Sequence, residues 1–246
     1  MRYLLISALL LGTGLTAQAE LTGKQILARI DKNYESKTSV SVMHMTIKGR
    51  RGSRTVTSKS WSMGQEKTFT EYLSPPREAG TKMLKIEDEL WIWSPSTDRI
   101  IKIAGHMLRQ SLMGSDVSYE DFMEDPVLEN NYDVKVLEDK KVAGRLCYSL
   151  ELTAKEGKEV PYYKRVAWVD KERFLPLQEN MYAKSGKLLK TFETKDYHKK
   201  GERYYPKTMI FKDVLKKGDG TEIVIDEIEF DVEIPKSKFS KASLRR

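Results

Sequence analysis

Apolar and polar residues alternate with a period of two along most of this chain. The pattern is clearest near the end, where Ile228, Phe230, Val232 and Ile234 alternate with Glu227, Glu229, Asp231 and Glu233. Leu146, Tyr148, Leu150 and Leu152 alternate with Cys147, Ser149 and Glu151 in the same way. Successive side chains of a strand point to opposite faces, so each such run predicts a strand with one greasy and one wet face. Further strands are predicted over 38–48, 54–63, 67–73, 81–86, 90–94, 99–103, 133–138, 165–170, 177–182, 188–194 and 204–213, and the final one over 221–234. Gly, Ser, Asp and Lys turns separate them, and Ser74-Pro75-Pro76 interrupts the ladder because proline has no N–H to donate. Before the strands, Ile26, Leu27, Ile30 and Tyr34 recur at helical spacing behind a Thr22–Gln25 capping box, which predicts one amphipathic helix.

Turns at short intervals favour one continuous antiparallel meander over βαβ units. The expected fold is mainly β (α+β): a single sheet of about ten to eleven strands. Twist should curl it into an open or half β-barrel with the helix at its N-terminus. Between the sixth and seventh strands the alternation stops. Residues 107–123 form a Met-, Ser- and Gly-bearing segment whose apolar members are Met107, Leu108, Leu112, Met113, Phe122 and Met123. Methionine is unbranched and polarizable, so the segment suits either an adaptable lid over a hollow or a plug that fills it. Candidate cavity residues are Met43, Met45, Ile47, Trp61, Met63, Phe69, Leu84, Ile86, Trp91 and Trp93. In Leu90-Trp91-Ile92-Trp93 both faces are apolar, so a covering segment is expected there, and either face remains eligible to line the hollow.

Composition changes this picture in two respects. Arg2, the apolar run 4–15 and Ala17-Gln18-Ala19 read as a cleavable signal peptide over 1–19, leaving 20–246 as one domain exported to the periplasm. The apolar run is too short for a membrane span, and no cysteine follows it, so the chain is not expected to carry a lipid itself. Cys147 is the one cysteine, which leaves the fold dependent on packing. A net charge of +7 spread along the sequence, with 32% charged residues, reads as a solvated surface with some affinity for anionic headgroups. The periplasmic address excludes nucleic acid.

Candidate chemistry is sparse. His44, His106 and His198 lie far apart without a metal-ligand spacing, so neither zinc nor any other cofactor is expected. Asp116, Glu120, Asp121, Glu124 and Asp125 lack the spacing and glycine of a calcium loop; Ser118 and Asp121 instead form an S-x-x-D helix cap. Cys147 reads as a partly covered side chain on a polar strand face. Neither a nucleophile elbow nor a phosphate loop nor a dinucleotide fingerprint occurs, and the expected function involves no catalysis.

Three stretches carry a family resemblance: ELWIWSPSTDRIIKI at 89–103, SLMGSDVSYEDF at 111–122, and IPKSKFS at 234–240. Together with the order of elements they resemble the outer-membrane lipoprotein-sorting (LolA-like) superfamily, in the branch marked by an MGSDVSYEDF-type motif. The resemblance implies an open barrel whose helices cover an apolar cavity. It also implies a monomeric carrier of a lipid or an acylated lipoprotein, with an inner-membrane transporter as donor and an outer-membrane acceptor. The same superfamily includes sensor domains that regulate envelope-stress signalling through protein contacts, which is the alternative. The carriers' lid-contacting arginine has no clear match here, because Arg50, Arg51 and Arg54 read as turn residues.

Overall fold

The computed structural model describes residues 20–49 and 52–245; the expected signal peptide, Arg50 and Arg51 lie outside them. Helix α1 (Gly23–Tyr34) starts as its sequence dictates. Thr22 N donates to Gln25 Oε1 at 2.9 Å, and Gln25 N donates to Thr22 Oγ1 at 3.3 Å. Thirteen strands follow: β1 (Thr38–Gly49), β2 (Gly52–Met63), β3 (Lys67–Ser74), β4 (Lys82–Ile86), β5 (Glu89–Ser94), β6 (Arg99–Ile103), β7 (Tyr132–Val142), β8 (Arg145–Ala154), β9 (Lys164–Asp170), β10 (Pro176–Tyr182), β11 (Leu188–Lys200), β12 (Arg203–Asp213) and β13 (Gly220–Phe230). They form one antiparallel sheet in the order β6-β5-β4-β3-β2-β1-β13-β12-β11-β10-β9-β8-β7, so the sheet is open, with β6 and β7 at its edges. This corrects the expected ten to eleven strands. Every alternating segment is paired, including the five-residue strands β4 and β6, because each finds a hairpin partner of matching register.

Short turns and the single-turn helix α2 (Tyr119–Met123) lie between β6 and β7. This connecting segment, residues 104–131, lies on the inner face of the sheet. Its Leu112 and Val117 pack with Met83, Leu90 and Ile103. Helix α1 covers a second part of that face, where Ile26 and Leu27 meet Tyr132, Leu150, Leu152, Ala167 and Val169 on β7–β9. The outer face is covered as well, a feature absent from the expected fold. The C-terminal segment packs Ile234, Phe239 and Leu244 on Phe69, Leu84 and Trp91, while Lys238 and Lys241 lie 3.8 Å and 4.0 Å from the ring centroids of Trp61 and Trp91. Both faces of Leu90-Trp91-Ile92-Trp93 are therefore apolar because each has its own cover.

Helix α1 carries one energetic defect. Burial, aided by the nearby charges of Asp125 and Glu129, raises the Asp31 carboxyl to about 6. Below its unfolded value near 4 the group is neutral in both states, so it costs nothing; the penalty on the folded state builds as pH rises from about 4 to about 6 and is fully present above that. Asp31→Asn should therefore raise the thermal midpoint at neutral pH and leave it unchanged near pH 4. The expected gain is no more than about 1–2 kcal/mol, after discounting for the half-exposed position. A pH series of melting curves checks it; equal shifts at both pH values would contradict it.

Candidate functional site

Cross-strand neighbours share a face, so the register shows which residues line the inner surface. From Met83 on β4 the row runs through Thr70, Ser60 and Ser41 to Ile228 on β13. A parallel row joins Ser58, Met43 and Ile225. A bulge between Val42 and Met43 in the β1–β13 pairing leaves Asp226 out of register, which places Ile223 and Ile225 on the same face as Ile228 and Phe230 despite their odd numbers. Met209, Phe211 and Phe192 extend the face across β12 and β11.

The ten candidate cavity residues are thus divided. Met43, Met45 and Ile47 lie on the inner face, and Met45 and Ile47 cluster there with Val56 and Tyr72. Trp61, Met63, Phe69, Leu84, Ile86, Trp91 and Trp93 lie on the outer face beneath the C-terminal segment. The six residues of the connecting segment are brought together on the inner face: Met107, Leu108, Leu112, Phe122 and Met123 against Met83, Leu90 and Ile103, and Met113 beside Met45 and Ile47. The inner-face residues of β11–β13 were missed, although the alternation of Ile228 and Phe230 had marked their strand. Periodicity identifies two faces but does not label them, and the bulge reverses the parity midway. Met43, Met209, Ile225 and Ile228 are only half-buried, so part of this apolar surface is open.

The acidic residues of the connecting segment meet partners on the sheet. Ser118 and Asp121 form the capping box: Asp121 N donates to Ser118 Oγ at 3.2 Å and Ser118 N donates to Asp121 Oδ2 at 2.6 Å. Asp121 also pairs with Lys190 of β11 and accepts from the Tyr162 hydroxyl. Burial alone would raise its carboxyl, but Lys190, the Ser118 amide and Tyr162 together hold it below the usual carboxylate range. Glu124 sits 2.6 Å from Arg165 of β9, which also pairs with Glu179 of β10. Because Glu124 shares that guanidinium, burial prevails and pushes its carboxyl up. Asp116 accepts from Thr221 Oγ1 at 2.8 Å and from Asp213 N at 3.0 Å. Lys85 donates to the Met123 carbonyl at 3.5 Å. Arg54 belongs to β2, not to a turn, and its guanidinium donates to the Met113 carbonyl, which corrects the earlier reading of that residue. The segment is therefore clasped by charge at its polar positions and seated by apolar contacts between them. A cleft of 1230 Å³ opens beside it, lined in part by Leu108, Met123, Glu124, Tyr163, Lys184 and Leu189.

Other candidate chemistry has structural explanations. Cys147 is fully buried among Val142, Leu175 and Leu177 rather than partly covered, and burial raises its thiol pKa, which suppresses the reactive thiolate. His44 lies between Asp226 (2.5 Å) and Thr57 (2.9 Å), the order of a hydrolase triad. The Thr57 hydroxyl also accepts from Ser74 Oγ at 2.8 Å, beside an irregularity in the β2–β3 register, so it is tied into the packing of two strands. Among the described residues no cluster of His, Cys, Asp and Glu could hold a metal ion, and no helix is long and apolar enough to cross a membrane.

Comparison with known proteins places this architecture. A family model described as "Uncharacterized protein" matches residues 64–246. No curated protein matches the chain. Among solved structures, a DUF1329 family protein from Desulfovibrio piger is 27% identical with a TM-score of 0.83, covering 90% of this chain and 97% of that one. A domain from Vibrio parahaemolyticus named for outer-membrane lipoprotein sorting is 25% identical with a TM-score of 0.79, covering 91% and 98%. A LolA-superfamily protein from Nitrosomonas europaea shares the fold at 23% identity, with a TM-score of 0.73 and coverage of 91% and 100%. The chain belongs to the family of that matching model, and its open sheet, covering helix and inner connecting segment make it a member of the LolA-like, outer-membrane lipoprotein-sorting superfamily.

Proposed function

We propose that this protein is a periplasmic carrier, exported by residues 1–19 and acting as a single-domain monomer. It shelters the acyl chains of a lipid or lipid-modified protein against the inner face of its sheet. No bond is made or broken; cargo passes from an inner-membrane donor to an outer-membrane acceptor. The observation that carries this reading is the half-buried apolar stripe of Met43, Met209, Ile225 and Ile228, which continues beneath a segment held by an ionic clasp. Each buried methylene is worth about 0.8 kcal/mol, so a 16-carbon chain gains on the order of 12 kcal/mol from shelter. That gain is large enough to displace the connecting segment, whose own apolar contacts would be exchanged for those of the cargo.

Purification from the native periplasm without detergent, followed by lipid analysis, should yield co-eluting acyl chains. The purified protein should take up a fluorescent 16-carbon fatty acid. Met43→Asp and Ile225→Asp should each weaken uptake at least about tenfold with an unchanged far-UV spectrum, because a carboxylate facing the cargo must be desolvated. A protein that elutes empty and takes up no fatty acid would defeat the proposal.

A further inference from the structure

The β12–β13 hairpin carries Val214-Leu215-Lys216-Lys217 at its tip, and Leu215, at 60%, is the most exposed large apolar side chain among the described residues. Its outward position is fixed. Leu215 N donates to Asp213 Oδ1 at 3.0 Å, Val214 N donates to the Leu189 carbonyl at 3.0 Å, and Lys212 Nζ donates to the Lys216 carbonyl at 2.7 Å. The surroundings are basic. Lys216 and Lys217 flank the leucine, and the adjacent β10–β11 hairpin adds exposed Lys184 and Lys187. Of the two acids at the tip of the hairpin, residues 213–219, Asp213 is occupied by the Leu215 amide and by Lys216 at 3.8 Å, which leaves Asp219.

A pinned leucine and valine amid lysines is the arrangement that inserts shallowly into a lipid headgroup layer while the ammonium groups stay among the phosphates. Two apolar side chains are far too little for a stable protein interface, which needs about 800 Å² from each partner, whereas they suffice for a bilayer when cations assist. We propose that this end of the sheet docks on the surface of an anionic phospholipid bilayer through Leu215 and Val214. The hairpin is also tied to the inner segment: Lys216 Nζ donates to Ser111 Oγ and to the Ser115 carbonyl, both at 2.6 Å. Docking would thus bring that segment, and the hollow beside it, up to the membrane. Phosphates in the headgroup layer would compete with Ser111 and Ser115 for the Lys216 ammonium. The docking inference does not depend on what the hollow holds, because it is read without cargo.

The test is co-sedimentation of the mature protein with vesicles containing phosphatidylglycerol and with vesicles of pure phosphatidylcholine. Binding should favour the anionic vesicles and weaken as salt rises. Leu215→Asp should reduce it at least about tenfold, since burial of the leucine is replaced by a charge of the wrong sign. Lys217→Glu should reduce it about fivefold for each unit of charge changed. Leu146→Asp is the control: Leu146 is 49% exposed but lies at the opposite end of the sheet, beside the β7–β8 turn, and its substitution should change nothing. Failure to bind anionic vesicles, equal binding to neutral ones, or equal losses from Leu215→Asp and Leu146→Asp would each overturn the proposal. Circular dichroism on all three variants separates loss of docking from loss of fold.

Discussion

Arg165→Met is expected to destabilise the protein by about 3–5 kcal/mol, a large share of the 5–15 kcal/mol that holds a typical domain together. The Arg165 side chain is 8% exposed and lies between the carboxylates of Glu124 and Glu179, at 15% and 12%. Its removal leaves two carboxylates close together in a poorly solvated site, with the Tyr132 hydroxyl, 3.4 Å from Glu124, a weak substitute for the lost cation. The guanidinium also lies 5.7 Å from the ring centroids of both Tyr132 and Tyr162, so its loss opens space against two aromatic faces. Because Glu124 belongs to the inner segment and Arg165 to the sheet, the substitution should first free the segment and then lower the global urea midpoint. The triple change Arg165→Met, Glu124→Leu, Glu179→Leu should recover most of the loss, since an apolar replacement of the whole cluster strands no charge. A single-variant loss below about 1 kcal/mol would mean that water reaches this cluster.

Gly220→Ala is the second large effect. Gly220 has φ +90°, and a Cβ there would sit 2.5 Å from the carbonyl oxygen of Phe211, a backbone atom with no freedom to retreat. Backbone strain and overlap together should cost about 3 kcal/mol or more. The site matters because the next residue, Thr221, donates to Asp116, so displacing the start of β13 also disturbs the hold on the inner segment. Gly186→Ala isolates the strain: Gly186 has φ +82° but open space where its Cβ would go. Its cost should stay near 1–2 kcal/mol. Urea titrations of the pair give the overlap by difference, and similar midpoints would show that the Phe211 backbone yields.

The sequence made the strand segments legible because alternation and turn chemistry are local signals. The capping boxes at Thr22 and Ser118 were legible for the same reason. The assignment of faces was not. Trp91 and Leu90 are adjacent, equally apolar and covered by different parts of the chain, and nothing local distinguishes a tryptophan beneath Lys241 from a leucine beneath Leu112. The acidic residues of 111–125 read locally as a cap, which the structure retains, while their partners Lys190, Arg165 and Thr221 lie too far along the chain for spacing to reveal. Arg54 stands where the predicted strand over 54–63 meets the glycine- and arginine-rich turn, and it reads with the turn; β2 in fact begins two residues earlier, at Gly52.

The strand count itself decides why the shell has a cover. Neighbours alternate in direction around the sheet, so with thirteen of them the two rims, β6 and β7, point the same way. An even number would have let those rims run oppositely and zip shut across a tight turn. An odd one forbids that closure, since strands of like direction need a connection that returns along their whole length. Residues 104–131 make that return journey, and they make it through the interior. The same arithmetic that leaves a slit in the wall supplies the piece of chain that lies behind it. Inserting or deleting one strand would alter both together.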